Sequence, residues 1–309
     1  MSLPLAIMRA RPFILVAGLL PAFAGLSLAQ EASTGAPPPP PQTEAEKAAL
    51  LDLVLANVKK SDEAMNSYER VERLEMRKGG ADFLSGEVKV SRVVPAGTGV
   101  DHLPIGPDGK PADPDAYHAE LLKLERALSW AADDGHAQHD AYERIAKKQK
   151  ERDDLIDATR TAFLFTFVST ETRAGRVLYK YKMEPNPAYK STSRATSIFQ
   201  KVRGFVWIDP AARQLARVEG EVTGDITVGL FLAKVYKGSH FMQERYEMFP
   251  GLWMPSFSQY DFDGRKLFSS ISVHERTFYS QFHRIGPPKE ALAMIRAELG
   301  KPAGAGADR

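Results

Sequence analysis

From Phe163 onward the chain is a succession of short alternating segments parted by turn residues, and this pattern limits the fold more than any other feature. FLFTFVSTET (163–172) ends at Ala174-Gly175. RVLYKYKME (176–184) follows, with Tyr179, Tyr181 and Met183 on one face and Lys180, Lys182 and Glu184 on the other, as a half-buried strand requires. KVRGFVWID (201–209) and QLARVEGEV (214–222) read as a hairpin through residues 210–213. In the second of these, Ala216, Val218 and Val222 oppose Arg217, Glu219 and Glu221. A helical stretch is expected around 194–200. Further strands are expected at 226–236, 240–249, 254–262 and 266–282, separated by turns at Lys237-Gly238, Pro250-Gly251 and Asp263-Gly264. Consecutive strands on short connections form antiparallel meanders.

The N-terminal half supplies helices. Thr43 with Glu46 has capping-box spacing, and Ala48, Leu51, Leu55, Val58 and Met65 recur at helical spacing over 44–66. Two strands are expected at 68–78 and 87–94, with Gly79-Gly80 between them, followed by a long Gly/Pro loop over 95–112. Asp113-Pro114 starts a helix carrying Tyr117, Leu121, Leu124 and Leu128. Residues 133–135 break it, and a second, highly charged helix is expected over 138–158. The predicted class is α+β, mainly antiparallel β: roughly ten strands curved around an N-terminal helix, with a helical insertion at 113–160.

The ends of the chain are of a different kind. Arg9 and Arg11 precede an apolar run over 12–28, and Ser27-Leu28-Ala29 places small residues before Gln30, so residues 1–29 read as a cleavable secretory signal peptide. The alternative, a membrane anchor, needs about 20 apolar residues, and this shorter run contains Pro21. Residues 30–42, with prolines 37–41, read as a stiff linker; 43–285 as the folded domain; 286–309 as a short helix and a disordered tail. The formal net charge of +2 vanishes when the leader and its two arginines are removed. A neutral domain lacks the basic surface that nucleic-acid binding needs. There are no cysteines, which excludes disulfides, thiolate metal sites and a cysteine nucleophile.

No G-x-S-x-G, Walker-type or dinucleotide glycine motif is present. His136 and His139 are three apart beside Asp133, Asp134 and Asp140, a spacing open to zinc but without a third ligand in sight. The aspartates of 101–115 lack the ligand order of a calcium loop. Asp209, Asp225, Asp261 and Asp263 are carboxylates near strand ends, where turn geometry alone accounts for them. KKQKERDD (147–154) reads as a solvated helix face. No catalytic residue, metal or cofactor is expected, and the chain is not expected to be an enzyme.

The hairpin GFVWIDPAARQLARVEGEV, with Gly204, Trp207, Ile208, Asp209, Leu215, Arg217, Val218 and Glu219, resembles the LolA-like periplasmic carriers that sort outer-membrane lipoproteins in Gram-negative bacteria. GLFLAKVYKGSHF, GLWMPSFSQYDFDGRKLF and the closing Tyr279-Ser280-Gln281-Phe282 are similar to an uncharacterised secreted branch of that family. The resemblance covers roughly 44–285. It implies a half-barrel closed on one side by helices, whose apolar cavity shelters a lipid acyl group or a lipoprotein, with an outer- or inner-membrane receptor protein as a further partner and no nucleic acid. The implied localisation is periplasmic. The candidate lining is a single strand face carrying Phe163, Phe165, Phe167, Tyr179, Tyr181, Phe205, Trp207, Phe257 and Phe268. A second reading is a periplasmic sensor or interaction module, binding through the 113–160 insertion or an exposed sheet edge. A third is a metal- or carboxylate-dependent hydrolase.

Overall fold

The computed structural model describes residues 39–41, 43–77, 83, 86–193, 195–228, 233–266 and 269–300. The segment read as a leader, most of the one read as a linker, the Gly79-Gly80 pair and residues 301–309 lie outside them. Helix α1 (Glu44–Ala64) opens with a complete capping box: Thr43 Oγ1 accepts from the Glu46 amide at 3.1 Å, and Glu46 Oε2 accepts from the Thr43 amide at 3.0 Å. Strands β1 (Tyr68–Arg77), β2 (Glu87–Pro95) and β3 (Val100–Ile105) follow. Next come helices α2 (Pro114–Ala132) and α3 (His136–Ala162). The rest is β4 (Phe163–Arg173), β5 (Arg176–Pro185), β6 (Val202–Asp209), β7 (Gln214–Val222), β8 (Ile226–Val228), β9 (Ala233–Val235), β10 (His240–Phe249), β11 (Leu252–Lys266), β12 (Ser269–Arg284) and helix α4 (Pro288–Leu299).

All pairings among the described strands are antiparallel and belong to one open sheet, ordered β3-β2-β1-β12-β11-β10-β7-β6-β5-β4. The short β8–β9 hairpin leaves this path and joins it through β9 on β11. The first three strands therefore attach to the last one, β1 on β12, and bring the two ends of the domain together.

Four local expectations are corrected. Residues 100–105, read as loop, form β3; its Pro104 is tolerated because β3 is an edge strand. The strand expected over 226–236 is the two three-residue strands β8 and β9. Asp263-Gly264 is no turn but the interior of β11. A Cβ on Gly264 would stand 2.0 Å from the Lys234 carbonyl oxygen, so glycine is there to let β9 approach. The stretch expected to be helical around 194–200 is a short 3₁₀ turn at Thr196–Lys201.

Helices α1 and α3 pack on β5, β6 and β7 through Leu51, Val54, Val58 and Ile156. Helices α2 and α4 pack together on β2 and β3, with Leu121, Leu124, Leu128, Leu292 and Ile295 against Val94 and Leu103. Arg92 joins this second cluster to the sheet: it donates to Glu69 at 2.8 Å, to the Tyr117 hydroxyl at 2.9 Å and to Glu298 at 2.8 Å. The charged run 147–154 is not wholly solvated. Arg152 reaches the buried Asp62 of α1, whose other oxygen accepts from the buried Arg245 of β10. One carboxylate thus ties α1, α3 and the sheet together.

Breaking a buried ion pair from one side strands the remaining charge, at a cost of about 3–5 kcal/mol. Asp62→Ala is accordingly expected to lose stability of that order in urea unfolding. A loss under about 1 kcal/mol would show that the clamp is dispensable.

Candidate functional site

Side chains alternate along each strand, and residues paired across antiparallel strands share a face. The register therefore sorts this sheet into two faces. The first carries the row Tyr181–Val206–Val218–Gln243–Ser258–Thr277, every member of which is buried. Beside it runs Met183–Gly204–Gly220–Phe241–Tyr260. Gly220 is required here, because a Cβ would stand 2.2 Å from the Phe241 ring that lies across it. This is the face that α1 and α3 cover.

The opposite face carries three parallel rows. The outer ones are Lys180–Trp207–Arg217–Glu244–Phe257–Phe278–Arg73 and Arg203–Glu221–His240–Asp261–His274–Arg77; between them lies Lys182–Phe205–Glu219–Met242–Gln259–Arg276. Over β5, β6, β7, β10 and β11 this face is hollow. A groove of about 520 Å³ is lined by Lys182, Glu184, Arg203, Phe205, Glu219, Glu221, His240, Met242, Gln259 and Asp261, and Met183, Gly204, Gly220 and Phe241 of the neighbouring row complete its lining. The volume falls in the range of ligand sites.

The groove is amphipathic. Its charges are paired along or across strands: Lys182 with Glu184 at 2.7 Å, Arg203 with Glu221 at 2.9 Å, and Arg217 with both Glu219 and the buried Glu244. The aromatics on this face are flanked by cations. Lys180 Nζ stands 4.9 Å from the Phe205 ring centre and 4.7 Å from that of Trp207, and Arg217 covers Trp207 at 5.1 Å. Trp207 Nε1 donates to Glu171 at 2.7 Å, and that bond, more than neighbouring cations, holds the Glu171 carboxyl below the ordinary carboxylate range. Farther along the face, Arg176 lies 5.0 Å over the buried Trp253 and bridges Asp209 and Glu247.

The nine aromatics expected on one face are divided by the pleat. Phe163, Phe165, Phe167, Tyr179 and Tyr181 lie on the helix-covered face. Phe163, Tyr179 and Tyr181 are buried core, with the apolar residues of α1 and α3 in the space a cavity would need. Phe167, 39% exposed, stacks edge-on against both tyrosines at 5.9 and 5.7 Å. Phe205, Trp207 and Phe257 belong to the opposite face because each is paired with a residue there: Lys182, Lys180 and Phe278. Phe268 lies outside the described residues. The charged partners that line the groove were legible as the polar phase of strands β5 to β7. Their role was not, because which phase meets the helices is a tertiary matter.

The remaining candidates are local structure. His136 and His139 are exposed, each facing one carboxylate: Asp140 at 3.4 Å and Asp134 at 3.2 Å. Asp113 caps α2 through the amides of Asp115 and Ala116, and Asp108 accepts from the Lys110 amide. Asp209 accepts from the Ala212 amide and pairs with Arg176. Asp225 is held below the ordinary carboxylate range by Lys234, then by the Lys237 amide. Asp261 and Asp263 face two residues of β12 that the sequence reading did not single out, Ser272 and His274.

With the geometry in place, the chain can be set beside known proteins. No family model matches the sequence, and no curated protein matches it. Two solved structures are similar. One is an outer membrane lipoprotein-sorting protein domain from Vibrio parahaemolyticus, 11% identical, with a TM-score of 0.29 over 80% of this chain and 99% of that one. The other is a DUF1329 family protein from Desulfovibrio piger, 11% identical, with a TM-score of 0.28 over 76% of this chain and 92% of that one.

Tyr181 supplies a test of the closed face. Burial, more than the neighbouring Tyr179, pushes its phenol up to about 12, and burial raises Tyr179 as well. Neither hydroxyl has a hydrogen-bond partner among the described residues. A phenol that ionises less readily in the fold than in the unfolded chain stabilises the fold below pH 10, and that contribution fades as pH rises towards 12. Urea stability is expected to fall between pH 10 and 12, and to fall less in Tyr181→Phe. An equal loss in both would place the tyrosine in contact with water.

Proposed function

We propose that the protein is a periplasmic binding protein that holds an amphiphilic ligand, with a lipid acyl group along the groove and a polar head among its charged rows. The observation that carries this reading is the groove itself: an open hollow of about 520 Å³ across five adjacent strands, on a face that α1 and α3 leave free. Phe205 and Met242, on the middle row, offer an apolar line for a chain. Paired charges on both sides offer a polar head several exchangeable partners. An open groove of this kind exchanges its ligand by hydrophobic burial and release, as a carrier must. The leader read from the sequence supports the periplasmic setting, and the hairpin resemblance supports a lipid or lipoprotein cargo delivered to a membrane receptor.

A second reading rests on a different observation. Strand β4 is an edge of the sheet and exposes Leu164, Phe167 and Val168. An unpaired apolar edge favours an added strand, and so a protein partner.

Native mass spectrometry after periplasmic purification, with lipid extraction, tests the first reading. Bound phospholipid or acylated peptide is expected. Phe205→Glu and Met242→Glu are each expected to weaken a fluorescent fatty acid at least about tenfold, the effect of losing about 1.4 kcal/mol. Leu164→Ser should leave it unchanged. No mass shift on adding lipid would overturn the proposal, and weakening by Leu164→Ser alone would favour the edge.

A further inference from the structure

At one end of the groove the two-residue periodicity of β11 and β12 builds a constellation that the binding reading does not use. Ser272 and His274 are two apart on β12 and so share a face; Asp261 and Asp263 are two apart on β11 and face them in register. Ser272 Oγ lies 2.8 Å from His274 Nε2, and His274 Nδ1 lies 2.9 Å from Asp261 Oδ1. These are the contacts of a nucleophile, its base and the base's orienter. Asp261 also lines the groove.

We propose that Ser272 is the nucleophile of an ester-cleaving site at this end of the groove, with His274 as its general base. Asp261 is a positioning residue. An ionised carboxylate only accepts, so the proposed mechanism needs the imidazole proton on Nδ1, facing Asp261, with the Nε2 lone pair left for the serine hydroxyl; Arg77, itself only a donor, lies 3.0 Å from the same Nδ1 and must then direct its proton to the carboxylate. Asp261 is itself held on both oxygens. Oδ2 accepts from Gln259 Nε2 at 2.5 Å, and Gln259 Oε1 accepts from Arg276 at 3.2 Å. Arg77 of β1 lies 3.3 Å from Oδ1. The His274 side chain is 11% exposed, whereas Ser272 is exposed, so a substrate carbonyl can reach the hydroxyl and the base stays shielded. Arg265 is exposed and paired with Ser270, one step along the same face.

The chemistry balances without a cofactor. Ser272 Oγ bonds to the carbonyl carbon while its proton passes to His274 Nε2. The tetrahedral oxyanion collapses, the alkoxide leaves, and it takes that proton from His274. Water then attacks the acyl-serine through the same base, releases a carboxylic acid and restores the hydroxyl. The structure also shows a brake: Ser272 Oγ lies 2.6 Å from Asp263 Oδ1, a carboxylate that competes with His274 for the one hydroxyl proton. The substrate class, an ester whose acyl part enters the groove, rests on the reading given above. The serine's reactivity does not.

Covalent labelling with a small fluorophosphonate, located by peptide mass spectrometry, is the test. An adduct on Ser272 is expected, absent in Ser272→Ala and formed at least about 100-fold more slowly in His274→Ala. Asp263→Ala removes the competitor and should label faster than the parent. Asp261→Asn should label slowly with an altered pH profile, and Asp261→Glu should recover part of the rate. No adduct on Ser272 in either the parent or Asp263→Ala overturns the proposal, as does an unchanged rate in His274→Ala. Hydrolysis of p-nitrophenyl esters separates the two readings. Labelling of Ser272 with no preference for longer acyl chains keeps the site and discards the acyl groove. A chain-length preference that is lost in Phe205→Glu keeps both.

Discussion

A pleated sheet has two faces, and everything else in this molecule follows from how they are used. Among the described residues, twelve strands form one antiparallel sheet, so each cross-strand pair carries a side-chain phase from one strand to the next. A one-residue slip between β6 and β7 would exchange Val206 and Ile208 for Trp207 and Phe205 at the helices. Burial fixes the register. Val206, Ile208, Val218 and Val222 are packed with α1 and α3, and the charges on the intervening positions could not be buried there unpaired. The polar phase is thereby turned outward along five strands at once, and that is where the groove lies.

The helices are not interchangeable lids. Helix α1 contributes apolar residues at helical spacing, Leu51, Val54 and Val58, and then the buried Asp62 at its C-terminal end. The apolar residues supply burial, which is non-directional. The carboxylate supplies direction, because only one placement of α1 and α3 lets Arg152 and Arg245 reach its two oxygens. Helices α2 and α4 serve a different region, the outer strands β2 and β3, through Arg92 and the leucines around it. The insertion between β3 and β4 is thus shared: α2 belongs to the end of the sheet near β3, and α3 to the packing of α1.

Much of this was legible in the sequence. The capping box at Thr43 and Glu46, the alternation from Phe163 onward, the hairpin at 210–213 and the two helices of the insertion are local signals, and local physics reads them. Pro104 hid β3, because a proline argues against a strand unless the strand is known to lie at an edge. Asp263-Gly264 has turn chemistry, but the close approach of β9 gives its glycine another purpose. The site was less legible for one reason. Aromatic residues were gathered into a single face, whereas Tyr181 and Phe205 sit in opposite phases of paired strands, and only the pairing reveals this. Ser272 and His274 carried no motif. S-x-H on one strand and D-x-D on the next become a constellation only when Ser272 meets Asp263 and His274 meets Asp261.

The central claim is that the ligand lies on the face that α1 and α3 leave free, along Lys182, Phe205 and Met242, and that the aromatic cluster around Tyr181 is core. Photo-crosslinking with a diazirine-bearing fatty acid, mapped by peptide mass spectrometry, tests it directly. The account predicts adducts on residues of the groove, with Phe205 and Met242 among them. Adducts confined to Phe165, Tyr179 and Tyr181 would contradict it, and would mean that α1 and α3 lift from the sheet to admit the chain.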